Sequence, residues 1–208
     1  LLSARALDDL ILKPDIESLM MDLENSPYRE DIIEAKSRLS GILAIEAALR
    51  QNFIRTFRKI QDFSRGEEEA KNYISIFLHR WDVQNIKTIL RGKNIHATPE
   101  EILDCLVPAG ELDEVTLKEL LKQPDVKAVI DLLATWGIRY AKPLTESFPE
   151  FVKSQDLAVL ECALDRYYYA DALETVRANT YNNNLIRDLL SLEVDVVNAR
   201  TVLRMVRD

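Results

Sequence analysis

Apolar residues recur three or four positions apart along nearly the whole chain, and the strict alternation typical of strands is almost absent. β-Branched residues are interleaved with Leu, Ala, Glu, Lys and Arg, most of which favour helix. The clearest example predicts one buried stripe along a helix, formed by Ile42, Ile45, Leu49, Phe53, Phe57 and Ile60. This spacing predicts an all-α fold.

Local signals predict where several helices begin and end. Asp15 and Thr98 each precede a helical pattern and are expected to act as N-caps, because their side-chain oxygens can accept free N–H groups of the first turn. Pro143 and Pro149 are expected to break the chain into irregular pieces, and residues 182–184, which are all Asn, are expected to form a turn.

The composition excludes several classes of function. The 208 residues include 27 Lys and Arg against 35 Asp and Glu, a net charge of -8, whereas proteins that bind nucleic acid are typically basic. The five glycines are too far apart to form a phosphate-binding loop. No apolar run approaches the ~20 residues that a membrane-spanning helix needs. We therefore expect no nucleic acid partner, no bound nucleotide and no transmembrane segment.

Residues that could carry out catalysis or hold a metal do not occur in suitable patterns. His79 and His96 lack the spacing of paired zinc ligands. Cys105 and Cys162 form no CxxC motif and are expected to be reduced thiols in the core. Pairs of acidic residues fall where helix N-termini favour negative charge. We expect no catalytic residue, no cofactor and no metal ligand, and therefore no enzyme.

A ten-residue motif occurs twice in the chain. Residues 82–91 match residues 195–204 at an offset of 113, with six of ten positions identical. Two further matches lie upstream in the same order, residues 14–16 with 124–126 and residues 45–49 with 160–164. We interpret this as a duplication that produced two tandem pseudo-repeated helical domains, 1–95 and 96–208.

Within the motif, polar residues three positions apart form one ridge of the helix. Because these residues recur in both copies, we expect each unit to need them for its own architecture, with side chains that satisfy backbone groups of a neighbouring segment. A ligand-binding role is the alternative. The repeat-motif residues are Asp82, Asn85, Thr88, Arg91, Asp195, Asn198, Thr201 and Arg204.

Three segments together resemble a known family. They are the stretch 79–93, the segment 106–112 with its Val-Pro-Ala-Gly core, and the segment 164–168 with its Asp-Arg-Tyr-Tyr sequence. In this order they resemble the family of the C subunit of archaeal-type (A-type) ATP synthases, which is related to the d subunit of vacuolar (V-type) ATPases. The likeness covers essentially the whole chain.

The resemblance implies a funnel of three similar helical domains on the cytoplasmic side of the cell membrane. Such a protein is peripheral, sits on the proteolipid c-ring and receives the central stalk. It couples ATP synthesis or hydrolysis to transport of hydrogen ions or sodium ions without catalysis of its own. Because this sequence has two motif copies where the family has three, we expect a fragment that is clipped at both ends and lacks the third domain.

The distribution of charge is compatible with docking between subunits. Residues 36–65 contain seven Lys and Arg against two acidic residues, whereas residues 100–131 contain nine acidic residues against three Lys.

Two other functions remain open. An independent helical scaffold or adaptor would bind proteins along a concave surface, but such arrays repeat every ~33 to 47 residues. A helical metalloenzyme would require acidic pairs that face one cavity.

Overall fold

The computed structural model describes residues 2–64 and 66–207, with side chains to residue 203. These residues form eleven α-helices and no strand, which confirms the predicted all-α fold. None of these helices is both long and apolar enough to cross a bilayer. The helices are α1 (Ala4–Ile11), α2 (Ile16–Glu24), α3 (Arg29–Lys36), α4 (Gly41–Phe63), α5 (Glu68–Asn94), α6 (Pro99–Leu103), α7 (Glu114–Leu121), α8 (Val126–Thr135), α9 (Ala141–Ser154), α10 (Ala158–Thr175) and α11 (Tyr181–Arg207).

The chain forms two compact units. The N-terminal unit, Leu1–Arg65, holds α1 to α4, and the C-terminal unit, Gly66–Asp208, holds α5 to α11. The boundary at 95/96 expected from the repeat concerns duplication, which a division by spatial contacts does not test. It therefore stays a prediction.

The core of the N-terminal unit lies where α2, α3 and α4 meet. Ile32 of α3 is fully buried against Ala44 and Ala48 of α4, whose small side chains let the two helices approach closely. The predicted stripe on α4 is therefore partly wrong. Ile42 and Leu49 are 56% and 42% exposed, because the buried face is rotated towards the alanines.

Helix α5 lies at the centre of the C-terminal unit. It packs against α6, α7, α8 and α10, and its apolar residues belong to the largest core cluster. The first half of α11 joins this unit through a smaller cluster formed by Ile76, Ala172, Val176 and Leu190. All four of these residues are nearly or fully buried, so α10 and the first half of α11 are fixed against α5.

Both predicted N-caps are present. The Asp15 carboxylate accepts the N–H of Ser18 at 2.7 Å. Thr98 and Glu101 form a reciprocal capping box at the start of α6. Sequence signals of this kind depend on neighbours in the chain, which is why they can be recognised before tertiary structure is known.

Three other local predictions are wrong. Pro143 and Pro149 both lie in one continuous helix, α9. Pro143 occupies the first turn, where the missing N–H group has no helical partner to lose. Pro149 lies inside the helix and does not end it. Residues 182–184 open α11 instead of forming a turn, since the Thr180 hydroxyl accepts the N–H of Asn183 at 3.2 Å.

The two cysteines are free, as expected, but they are not core residues. Cys105 and Cys162 are both exposed, which makes their predicted burial wrong. Each lies on the outward side of a segment whose apolar neighbours, such as Leu106 and Leu164, face the core.

Candidate functional site

The first copy of the repeat motif occupies the buried middle of α5. Glu68 and Glu69 lie in the first turn of this helix and Arg91 and Lys93 in its last turn, an arrangement that complements the helix dipole. Between these ends the helix buries polar as well as apolar side chains, so the polar ones need partners within the fold.

Asp82 binds the main chain of the segment 106–112. Its side chain is fully buried, and the two carboxylate oxygens accept the N–H groups of Leu112 and Glu111 at 2.9 and 3.0 Å. Gly110 permits this approach, because a Cβ atom at that position would lie 2.1 Å from Asp82 Oδ1. A single carboxylate thus holds two consecutive peptide groups against α5.

Burial and hydrogen bonds shift the pKa of the Asp82 carboxylate in opposite directions. Burial raises the pKa of Asp82, and the two N–H donors partly offset that rise. Tyr140 lies with its hydroxyl 3.4 Å from Asp82 Oδ2, and burial together with that negative charge raises the pKa of the phenol.

Glu111 is the ionised neighbour of this cluster. His79 Nε2 lies 3.0 Å from Glu111 Oε1, and this interaction, supported by Arg139, lowers the pKa of Glu111. The glutamate is about half exposed, so this contact lies at the edge of the buried cluster.

Asn85 adds a second pair of bonds to the same segment. Its amide nitrogen donates to the carbonyl of Val107 at 2.7 Å, and its amide oxygen accepts the N–H of Val107 at 2.8 Å. The side chain therefore pairs with both polar groups of one residue, as a neighbouring strand would.

The cations of the motif pair with α10. Lys87 is buried, and its Nζ lies 2.5 Å from Asp165 Oδ1. Arg91 donates two hydrogen bonds of 2.6 Å to the carboxylate of Glu161, which raises the pKa of the arginine. Thr88 is half-buried on the same helix.

The second copy of the motif lies in a different environment. Asp195, Asn198 and Thr201 are exposed on the second half of α11. The Thr201 hydroxyl donates to the Val197 carbonyl within the helix, whereas Asp195 and Asn198 have no hydrogen-bond or ion-pair partner among the described residues. The side chain of Arg204 lies outside the described residues.

Three residues that matter for the geometry were not among the predicted motif residues. Gly110 and Tyr140 lie far from the motif in sequence, and only the fold brings them to Asp82. Lys87 could have been found, because the second copy carries another cation, Arg200, at the equivalent position.

The polar groups of Asp82 and Asn85 bind main-chain groups of the protein itself. Among the residues with described side chains, no group of three or more His, Cys, Asp or Glu could hold a metal ion.

Comparison with known proteins gives a family match over the whole sequence. The family described as "ATP synthase (C/AC39) subunit" matches residues 1–208.

Individual relatives agree with this match. The chain is 31% identical over 196 residues to the C subunit of the A-type ATP synthase of Archaeoglobus fulgidus, an alignment that covers 94% of this chain and 54% of the relative. It is 31% identical over 199 residues to the equivalent protein of Methanosarcina mazei, covering 94% and 52%. For Methanocaldococcus jannaschii the identity is 28% over 198 residues, covering 95% and 49%. The chain thus spans about half the length of the curated relatives it matches.

Proposed function

Because the chain belongs to the ATP synthase (C/AC39) subunit family, we propose that it is part of a non-catalytic coupling subunit of an A/V-type rotary ATP synthase. The subunit links the central stalk of the soluble sector to the membrane proteolipid ring, on the cytoplasmic side, and so couples ATP synthesis to the transport of hydrogen or sodium ions. The match over residues 1–208 is the observation that carries this proposal.

The duplication is part of the same proposal, and the order of helices supports it. The five helices α1 to α5 correspond in order to α7 to α11, with α6 between the two sets. Ser3 and Asp113 cap the first helix of each set, and Asp15 and Asp125 cap the second, each through an N–H three residues later. The last helix of each set has 27 residues and carries the motif.

The motif has a structural role in this proposal. A subunit that transmits torque must resist deformation, and Asp82 and Asn85 fix a loop segment to a long helix through four hydrogen bonds. Ion pairs from Lys87 and Arg91 fix the same helix to α10. These bonds tie together segments that are far apart in sequence, which favours a rigid unit.

Exposed charge supplies candidate contacts with other subunits. Arg58 and Lys59 are exposed on α4, within the basic segment 36–65. Oppositely charged surfaces accelerate association and select partners, and they do so less effectively at high salt.

The experiment that tests the function uses the full-length parent protein with an affinity tag, purified from membranes in gentle detergent. We expect the proteolipid ring and the central stalk subunits to co-purify with it. As a control, purified tagged protein is added to untagged membranes after they are solubilised. Partner subunits recovered in this control would have associated during the preparation and not in the cell.

Recovery of the parent protein with neither partner would contradict the proposal and would favour the alternative, an independent helical scaffold. Charge reversal at Arg58 and Lys59 tests whether these two residues contribute to the contact with the partner subunits. We expect this variant to retain fewer partner subunits than the wild type at low salt, a difference that narrows as salt screens the charges, with unchanged helix content by circular dichroism.

A further inference from the structure

The two long helices that carry the motif contact each other at equivalent positions. Arg80 of α5 and Glu193 of α11 are related by the same offset of 113 as the motif, and each lies two residues before a motif copy begins. The guanidinium of Arg80 donates two hydrogen bonds to the two oxygens of the Glu193 carboxylate, at 3.1 and 2.7 Å. One position of the repeat is therefore occupied by opposite charges, and these charges face each other.

A second contact shows that the two helices run in the same direction in this region. The hydroxyl of Tyr73, which precedes Arg80 on α5, donates to the side-chain oxygen of Asn183, which precedes Glu193 on α11, at 2.7 Å. Because the order of contacts is the same on both helices, the N-terminal halves of α5 and α11 lie side by side in parallel. A helix that met a second copy of itself in this arrangement would place the side chain at position 80 or 193 next to its own counterpart.

This geometry makes the pairing sensitive to charge. Two α5 helices would bring Arg80 against Arg80, and two α11 helices would bring Glu193 against Glu193. Like charges in close contact repel, whereas the observed combination attracts. The side chains are 38% and 26% exposed, so solvent screens either effect only in part. Among the described residues neither one has another ion-pair partner that would compensate a change of sign.

The apolar residues of the same contact do not discriminate between the copies. Ile76 and Leu190 are 2% and 0% exposed and belong to one cluster between the helices. At the offset of 113 they correspond to Leu189 and Phe77, so both copies are apolar at both positions. Burial of such side chains stabilises any pairing of the two helices. Selection of the partner helix therefore depends on the charges.

We propose that Arg80 and Glu193 determine which long helix pairs with which. The partner that fits this face of α5 is a helix of the repeated unit with an acidic residue at the position equivalent to 80, and a copy with a cation there is rejected. The apolar cluster supplies stability, and the charge pair supplies specificity. The proposal rests on the duplication proposed above and not on the role in the ATP synthase.

The test separates the sign of the charges from their presence, in the 208-residue chain. Glu193→Arg gives two cations and Arg80→Glu gives two anions. Arg80→Gln combined with Glu193→Gln removes both charges, and Arg80→Glu combined with Glu193→Arg exchanges them. Hydrogen exchange of the amides of residues 187–193 reports whether the first half of α11 stays packed on α5.

We expect exchange at residues 187–193 to be at least about tenfold faster in each of the two like-charge variants than in the wild type. High salt should narrow this difference, because it screens the repulsion. The uncharged and the exchanged variants should stay within about threefold of the wild type, since a partly exposed ion pair contributes little by attraction. Asp188→Arg, at an exposed position of α11, makes the same change in net charge as Glu193→Arg and should have no such effect.

Three outcomes would overturn the proposal. Like-charge variants that exchange no faster than Asp188→Arg would show that the charges do not discriminate. An uncharged variant that exchanges as fast as the like-charge variants would show an ordinary ion pair that acts by attraction alone. An exchanged variant that stays as fast as the like-charge variants would show that charge complementarity is not what matters.

Protection of residues 82–91, measured in the same samples, shows whether the rest of the C-terminal unit is folded. If a like-charge variant loses protection there as well, recovery of both segments in the exchanged variant still supports the proposal, and failure to recover refutes it. None of these results bears on co-purification with the ATP synthase.

Discussion

At the scale of single residues, the interactions of the motif differ in their energetic weight. Asp82 is fully buried and accepts hydrogen bonds from two main-chain N–H groups, so loss of its carboxylate leaves both groups without this partner. The pair between Arg91 and Glu161 has good bidentate geometry, but the arginine side chain is 54% exposed, and solvent weakens such pairs. Asp82 is therefore the residue whose replacement should matter most.

Replacement of Asp82 by Ala is expected to lower the free energy of unfolding by about 2–4 kcal/mol, since each stranded N–H group costs about 1–2 kcal/mol. Urea denaturation followed by circular dichroism measures the change. Asp188→Ala on the exposed side of α11 provides the control and should stay within about 0.5 kcal/mol of wild type. A loss at Asp82 no larger than in the control would contradict this role.

Gly110 and Asp82 are expected to be energetically coupled. Gly110→Ala forces a Cβ atom against the carboxylate, but the same substitution meets no such atom once Asp82 is Ala. A double-mutant cycle by urea denaturation should therefore give a coupling energy of about 1–3 kcal/mol. Additive effects of the two substitutions would show that the close approach carries no strain.

Glu111 is expected to give the stability a specific dependence on pH. Its pKa is lowered in the fold from an ordinary value of 4.5, so its contribution is present above pH 4.5 and is lost as the pH falls through the lower, folded value. Glu111→Gln should therefore destabilise the protein at pH 7, and its difference from wild type should shrink in acid.

Denaturant unfolding at a series of pH values measures this difference. Glu146→Gln, an exposed carboxylate on α9, controls for the removal of one negative charge. A difference between Glu111→Gln and wild type that grows as the pH falls below 4.5 would contradict the assignment.

At the scale of elements, α5 and α11 show what sequence can and cannot predict. Helical spacing, the N-caps and the repeated motif could be read directly, because each depends on residues close together in the chain. The extent to which each motif copy is buried could not be predicted from the sequence, because it depends on segments such as 106–121 that lie elsewhere in the chain. The rotation of the buried face of α4 and the helical course of α9 through Pro149 are likewise decided by tertiary packing.

Hydrogen exchange should separate the two motif helices. The amides of residues 82–91 are expected to exchange only when the C-terminal unit unfolds, because this part of α5 is enclosed by four other helices. Those of residues 195–203 are expected to exchange by local fraying, at least about 100 times faster. The measurement is made on the 208-residue chain alone, at low protein concentration. Equal protection of the two segments would show that the second half of α11 is already covered.

At the scale of the whole molecule, each compact unit has a core of its own. The cluster around Ile32 is built from residues of the N-terminal unit, and the two clusters around α5 are built from residues of the C-terminal unit. The sequence predicted two domains from the repeat, whereas contacts divide the chain within the first repeat, at 65/66. A duplication is recognised from the order of motifs along the sequence, whereas the division into compact units depends on which helices pack together.

The C-terminal unit alone is expected to fold. A chain of residues 66–208 retains every residue of the clusters around α5, so it should keep its helices and unfold in one cooperative transition. Circular dichroism during urea denaturation measures this. The full chain, measured in parallel, should show a transition at a similar midpoint. A broad, non-cooperative transition for residues 66–208 would mean that the unit depends on the rest of the chain.

The pairing of Asn85 with Val107 has a consequence for how freely the sequence can diverge. Both hydrogen bonds are made to main-chain atoms of residue 107, so they do not depend on its side chain, provided that the residue is not proline. A mutation there can alter solubility or surface chemistry while the attachment to the helix persists. Homologous helices can therefore accept partner segments that have little sequence in common, as long as the backbone follows the same path.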